Sequence, residues 1–533
     1  MNKGYDIADW LKDGGTIEEI DSFPSLEISN GLESHSNPPS YSKQTQSEML
    51  LHILEKYETK LFFNEVNEIC VAFPVNGHTE VWLLESREFS NWLQSIFYKE
   101  KKRPIQTEGI KQALSILAAK AKFEKRTDIP LFNRVALHND ILWYDLSNEA
   151  WQVVKITADG WRVEDKPPIL FNRYRHQIPQ VLPDANGDIQ KIFQYVNLKD
   201  YRVLFLCWLI TCFIPDFPHA ISIFFGEKGS AKTTTCELLK RLIDPSVMGT
   251  LALEKDKRTL VVNLAQHWYL PFDNISNINI DTSDMLCRAI TGGGIQQRKM
   301  CTNAEDYIFT FKRCITLNGI SNVANRADLL DRSLLFELVR VPESERKELR
   351  LIYKAFDKDR ASILGGIFTT LSKALGVYQS AKLSKLPRMA DFARWGYAIG
   401  EALGGYGEQF LKEYEQNQII RDYEAIDADV VAYLIVAFMK HKTDWSGLVS
   451  DLLVSLQEIA PLYGIVPTAK EMPSQANALS RRINNVQSNL NAVGITYSRK
   501  YTEKGTTISL HNSHLSPLPP YRDDWKCGNS NKL

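Results

Sequence analysis

Eight residues, Gly226-Glu227-Lys228-Gly229-Ser230-Ala231-Lys232-Thr233, have the types and spacing to hold a phosphate chain. In such a loop backbone N–H groups wrap the anion. Lys232 is placed to reach the β- and γ-phosphates, and Thr233, followed by Thr234, to offer a hydroxyl to Mg²⁺. Ala231 stands where the pattern has glycine; a helical φ is expected there, because a positive φ would strain alanine. Two elements must position the loop. The apolar run Ile221–Phe225 reads as a buried strand leading in. The run from Thr234 to Ile243 has helical spacing leading out, and Asp244-Pro245 stops it. Strand, glycine-rich turn and helix N-terminus together form an anion cradle, so ATP and Mg²⁺ are the expected cofactors.

A phosphate loop alone does not choose among kinases, GTPases and motor ATPases. Downstream, Tyr269-Leu270-Pro271-Phe272 ends in Asp273-Asn274, a Walker B pattern that brings a carboxylate beside bound Mg²⁺. Asn274 stands where many motors have glutamate; an amide can orient the attacking water but cannot take its proton, so the general base stays open. A second strand-like run, Arg313 to Leu317, delivers Asn318, placed to hydrogen-bond the attacking water or the γ-phosphate. Arg332 precedes the run Leu334–Leu338 and is placed to reach the ATP of a neighbouring copy, with Arg326 as the reserve candidate.

Between these motifs lies Leu286 to Lys299, LCRAITGGGIQQRK. With LNGISN from Leu317 and NRADLLDRS from Asn325, it resembles the AAA+ helicases of phages and mobile elements, including self-loading, MCM-like replicative helicases of staphylococcal cassette elements related to superfamily 3. The resemblance is strong over residues 220–340 and weaker at Pro387–Ala393 and the C-terminus. It implies a homo-hexameric DNA helicase moving 3′→5′, with ATP between subunits. Lys232, Thr233, Asp273 and Asn318 would act in cis and Arg332 in trans. Arg298 and Lys299 would sit on a pore hairpin that grips single-stranded DNA at the fork, and Arg388 would match a sensor-2 arginine.

The expected fold class is α/β: an AAA+ P-loop core at 196–342 with an N-terminal α+β domain at 49–195. A helical lid or linker follows at 343–425, and a winged-helix domain at 426–513. Val135–Glu164 alternates with turn signals as a β-meander. In the C-terminal segment Leu479, Ile483, Val486, Leu490 and Val493 share one helical face, and two strand-like runs follow Gly494. There Arg481, Arg482, Arg499, Lys500 and Lys504 are candidate phosphate contacts. Residues 23–48 read as a disordered linker and 514–533 as a disordered tail. Residues 1–22 hold a segment, Asp6–Thr16, that resembles the end of a primase Toprim domain or is a small amphipathic helix; no primase activity is expected.

Composition sets outer bounds. The chain has 533 residues, 24% charged and 44% hydrophobic, with a net charge of −1, so DNA contact must come from local patches. Its eight cysteines form no CxxC pair and fit a reducing cytoplasm. No apolar run is expected to span a bilayer, and Tyr201–Phe217 reads as a buried helix. A primase or initiation protein is a candidate partner. Three rival readings remain: a DNA-binding loader or regulator that does not unwind, a small-molecule phosphotransferase, and the helicase part of a primase-helicase.

Overall fold

The computed structural model describes residues 44–513 apart from 125, 255, 276–277, 299–305, 311, 320–326, 384, 428, 467–471 and 503–504. The fragment 1–22, the linker up to residue 43 and the tail from 514 lie outside the described residues. The linker ends sooner than expected. Helix Gln46–Leu54 begins inside it, fixed by a capping box in which Thr45 and Glu48 bond each other's backbone N–H.

That helix and helices Arg87–Lys101 and Thr107–Phe123 pack on an antiparallel sheet, β1 (Lys60–Phe63), β2 (Ile69–Val75) and β3 (His78–Leu83), around Leu50, Phe73, Phe89 and Leu93. The short parallel pair β4 (Leu131–Phe132) and β9 (Leu170–Phe171) flanks the expected meander. The meander runs in order through β5 (Val135–His138), β6 (Ile141–Asp145), β7 (Val153–Thr157) and β8 (Gly160–Glu164). Asn139 and Asp140, both at positive φ, make the two-residue turn that matches strand twist.

The central sheet is parallel, in the order β11 (Tyr269–Ile275), β14 (Cys314–Gly319), β10 (Ile221–Phe225), β15 (Ser333–Glu337). Leu251 adds a parallel bridge outside β11. The strands are almost continuously buried and apolar, as parallel strands covered on both faces must be. Hydroxyls inside the sheet satisfy one another: Ser222 Oγ and Tyr269 Oη lie 2.6 and 2.8 Å from Thr316 Oγ1. Between β11 and β14 stands an antiparallel hairpin, β12 (Gly294–Arg298) and β13 (Asp306–Thr310).

Helices Leu349–Ser380, Ala390–Ala402 and Gly407–Asp427 follow. Asn417 closes the open edge of β15, accepting from Leu335 N at 3.0 Å and donating to Leu335 O at 2.7 Å. Segment 184–189 lies directly on the long helix. A side chain at Gly365 would collide with the Asp184 carbonyl, and one at Gly366 with the Ile189 backbone. Contrary to expectation, this 32-residue helix is long and apolar enough by length and composition to cross a bilayer; 56% of its apolar stretch is buried, in the same core as the meander and the sheet. That core takes residues from Val135 to Tyr414 and so crosses the expected boundaries at 195 and 342, while a second core lies around Ile221, Leu270 and Ile315.

A separate core holds the C-terminal unit. Its order is helix Val430–Met439, β16 (Asp444–Leu448), helices Val449–Ile459 and Ala476–Ala492, then β17 (Ile495–Thr502) and β18 (Gly505–Asn512), with β18 central in the sheet. Leu479, Ile483, Val486 and Leu490 are buried along one face of the third helix, and Gly494, at φ 87°, ends it.

One buried cluster ties the meander to the sheet. Asp244, at the end of helix Lys232–Ile243, accepts from Arg134 Nε at 2.9 Å, Lys240 Nζ at 2.7 Å and Trp268 N at 3.0 Å. Lys240 also bonds Tyr269 O at 2.7 Å and contacts His267 Nδ1 at 3.1 Å. Asp244 stops the helix as expected, but its larger role is this three-way junction.

Candidate nucleotide and nucleic-acid sites

The loop between β10 and helix Lys232–Ile243 turns through Gly226 at φ 144° and Gly229 at φ 85°. Gly226 is required by space as well, because a β-carbon there would strike the Leu338 carbonyl. The expectation for Ala231 is corrected: it is left-handed, at φ 59° and ψ 28°. It occupies the glycine conformation of the pattern without being glycine, at a cost of about 1–2 kcal/mol. Replacing it with glycine removes that strain but loosens the unfolded chain, which takes back about 0.4–1 kcal/mol. Ala231→Gly is therefore expected to raise unfolding free energy by about 0.5–1 kcal/mol. Denaturant titration checks this, and a destabilised variant would contradict the strained backbone.

Lys232 curls over the loop, donating to Gly226 O at 2.8 Å, Glu227 O at 2.9 Å and Ser230 Oγ at 3.4 Å. Burial lowers its pKa, and the Asp273 carboxylate opposes that. Glu227, Lys228 and Thr233 are exposed, Ser230 is buried, and Thr234 is half-buried. Asp273 ends the apolar part of β11, beside Asn318 on β14, whose Nδ2 donates to Asp273 Oδ1. Parallel pairing sets this meeting: Asn318 is opposite Phe224, one residue short of the end of β10. Asn318 is buried, and its Oδ1 has no hydrogen-bond partner among the described residues. Asn274 is exposed at φ 55°, and its N–H donates to Asp273 Oδ1 at 2.8 Å.

Arg332 lies at the opposite end of the sheet. Its carbonyl accepts from Ile221 N at 3.0 Å, at the start of β10, whereas the loop follows Phe225. Five strand residues at ~3.3 Å each put it roughly 15 Å from the loop of its own chain. Its guanidinium bonds the Asp328 carboxylate and, at 2.8 Å, the Asp328 carbonyl. Burial pushes the Asp328 pKa up, but Arg332, with Cys287 and Arg388, outweighs this and lowers it. Arg388 is not brought to the loop; it pairs with Asp328 at 3.2 Å and with Asp331, beside Arg332. Arg421, which sequence reasoning passed over, holds Asp331 at 3.2 Å. Arg326 lies outside the described residues.

The hairpin expected before Asn318 is present, with the Arg298 backbone paired to Asp306; Lys299 lies outside the described residues. In the C-terminal unit Arg481 is exposed, but Arg482 is tied to Asp429, the cap of helix Val430–Met439, at 2.9 Å. Arg499 and Lys500 are exposed neighbours on β17, so they point to opposite faces of the strand. Lys504 lies outside the described residues.

These groups fit a nucleotide with Mg²⁺. No cluster of three acidic, His or Cys ligands occurs among the described residues, and Mg²⁺ held by one carboxylate and phosphate oxygens needs none. Asp273 and Thr233 are the residues that would hold it, and the buried unpaired Asn318 Oδ1 is an acceptor for a water.

Fold and site together define a mixed α/β protein with a glycine-rich turn and a carboxylate–amide pair at the carboxyl edge of a parallel sheet. Residues 189–410 match the family model of the actinomycete integrative conjugative element replication protein, and residues 431–518 match that of its C-terminal domain. The chain thus belongs with the replication proteins of mobile genetic elements. No curated protein matches it. Among solved structures it is similar to an SCCmec type IV Cch active helicase, at 12% identity and TM-score 0.42, over 86% of this chain and 93% of that one. It is also similar to the NrS-1 C-terminal region, at 11% identity and TM-score 0.36, over 88% and 100%.

Proposed function

We propose that this chain is an ATP-dependent DNA helicase with an AAA+ P-loop core, assembled as a homo-hexameric ring in the cytoplasm to replicate a mobile element or phage. One observation carries the reading: Lys232, Asp273 and Asn318 converge at one end of the sheet, while Arg332 stands at the other. A site with all four groups then needs two copies of the chain, which a ring supplies. In it, Lys232 reaches the β- and γ-phosphates, and Asn318 orients the attacking water through Oδ1. Asn274 is the further water-orienting candidate. Mg²⁺ held by Asp273 and Thr233 would neutralise charge on the phosphates. Arg332, with Arg388 beside it, offers positive charge to the neighbour's nucleotide. The β12–β13 hairpin, carrying Arg298 and Lys299, grips phosphates in a salt-sensitive, sequence-tolerant way. The C-terminal unit is a winged helix, with Arg481 and one face of its wing toward DNA. Polarity is proposed as 3′→5′ on the resemblance set out above.

The test is unwinding of a labelled forked duplex with ATP and Mg²⁺. The wild-type chain is expected to unwind it, and Lys232→Ala to lose nucleotide affinity by about 100-fold or more and unwinding with it. DNA-stimulated ATPase without strand separation would instead make the chain a loader or regulator. ATPase that ignores DNA and follows a small acceptor would make it a phosphotransferase.

A further inference from the structure

The segment after β15 folds back over the glycine-rich loop. Leu338 N donates to Phe225 O at 2.9 Å, and Val341 N to Gly229 O at 3.2 Å. Pro342 then opens a single 3₁₀ turn, Glu343–Glu345, which delivers Arg346 to the loop. The Arg346 guanidinium lies 3.6 Å from where a β-carbon on Gly229 would sit. Its ion pair is with Glu343, three residues away, at 3.5 Å, with the Arg346 side chain 46% exposed and that of Glu343 80%. So loose a pair contributes little and yields readily to a better anion.

Two cations therefore stand at the same turn: Lys232, bonded to Gly226 O and Glu227 O, and Arg346, beside Gly229. We propose that Arg346 is a cis-acting phosphate ligand, closing on the nucleotide's phosphate chain together with Lys232. This rests on the reading of the loop as a nucleotide site. A planar guanidinium suits the task, since it can bind two phosphate oxygens at once where an ammonium acts as a point charge. The ligand class is a nucleoside di- or triphosphate, and the contact is independent of the neighbouring subunit, unlike that of Arg332. The residue forms at the same time the far end of the strap that holds Gly229 in place.

The experiment is titration of the full chain with fluorescently labelled ATP and ADP, at several salt concentrations, for the wild type, Arg346→Ala, Arg346→Lys and Lys232→Ala, with thermal melting of each. Arg346→Ala is expected to weaken both nucleotides about tenfold, to flatten the salt dependence and to melt as the wild type does. Arg346→Lys should recover part of the affinity. Wild-type affinity in Arg346→Ala would overturn the proposal. So would weakened binding accompanied by a lower melting temperature and no rescue by lysine, which would make Arg346 a structural strap only. If Lys232→Ala binds as tightly as the wild type, the loop is no nucleotide site and both readings fail; if it loses binding while Arg346→Ala does not, this one alone fails.

Discussion

Arg332→Ala is expected to lower the DNA-stimulated ATPase rate about 1000-fold while leaving ATP affinity of the isolated chain nearly unchanged. The reason is distance: Arg332 sits just before β15, its carbonyl bonded to Ile221 N, and its own loop begins beyond Phe225. On the proposed reading it serves only a neighbour. The decisive measurement mixes two inactive variants. A ring of Arg332→Ala and Lys232→Ala subunits contains interfaces where an intact Lys232 meets an intact Arg332, so activity should reappear on mixing. Failure to recover, or a matching loss of ATP affinity in the Arg332 variant alone, would sink the trans assignment. The Asp328 carboxylate that pairs with Arg332 must let it turn to the phosphate, so Asp328→Asn should perturb rate rather than nucleotide binding.

Asp244→Ala is expected to destabilise the chain by about 3–5 kcal/mol, a large share of the ~5–15 kcal/mol typical of a folded protein. The substitution leaves Arg134 and Lys240 buried without their shared carboxylate, and frees the N–H groups of Trp268 and Tyr269. Burial alone would raise the Asp244 pKa, but Lys240 and Arg134 outweigh it and hold the carboxyl well below its usual range. That stability is complete above the carboxyl's unfolded pKa, near 4, and is lost as pH falls toward the folded value. Two buried histidines act in the same direction and at higher pH. Burial lowers His267 to about 2 and His219 to about 3. Below their unfolded pKa, about 6.5, the unfolded chain takes up protons that the native chain refuses. Wild-type stability should therefore begin to fall near pH 6, not near 4. Chemical denaturation from pH 8 to 4 checks this; a flat profile down to pH 5 would contradict the neutral histidines.

The groups that could be read in the sequence are those set by local pattern. The glycine spacing, the apolar runs of β10, β11 and β14, and the glycine-bounded hairpin place Lys232, Asp273 and Asn318 with little help from distant residues. Ala231 was misjudged because its φ follows from the path of the loop under Leu338 and Val341, and nothing in the motif itself states it. Asp444-Trp-Ser-Gly-Leu448 lacks the alternation of a strand and becomes one only by pairing with β18. Arg388 lies away from the loop, and Arg346 beside it, for the same reason. Both are charged residues in runs without periodicity, and only the path of the chain sends one toward Arg332 and the other toward Gly229. The Thr45–Glu48 capping box is a local signal, set in a segment whose composition is that of a linker.

The glycine pair in the middle of helix Leu349–Ser380 has a mechanical consequence. With backbone against backbone at Gly365 and Gly366, the helix has no side chains on which to slide or roll there, and segment 184–189 acts as a bearing. Its N-terminal arm is coupled to the helix that follows the glycine-rich loop, through Tyr353 to Glu237 and through Asp357 to Arg241. Its C-terminal arm packs on helix Ala390–Ala402, which opens just after Arg388. In the proposed ring, a tilt of the loop helix would be passed through these contacts to the long helix and on toward the segment that holds Arg388.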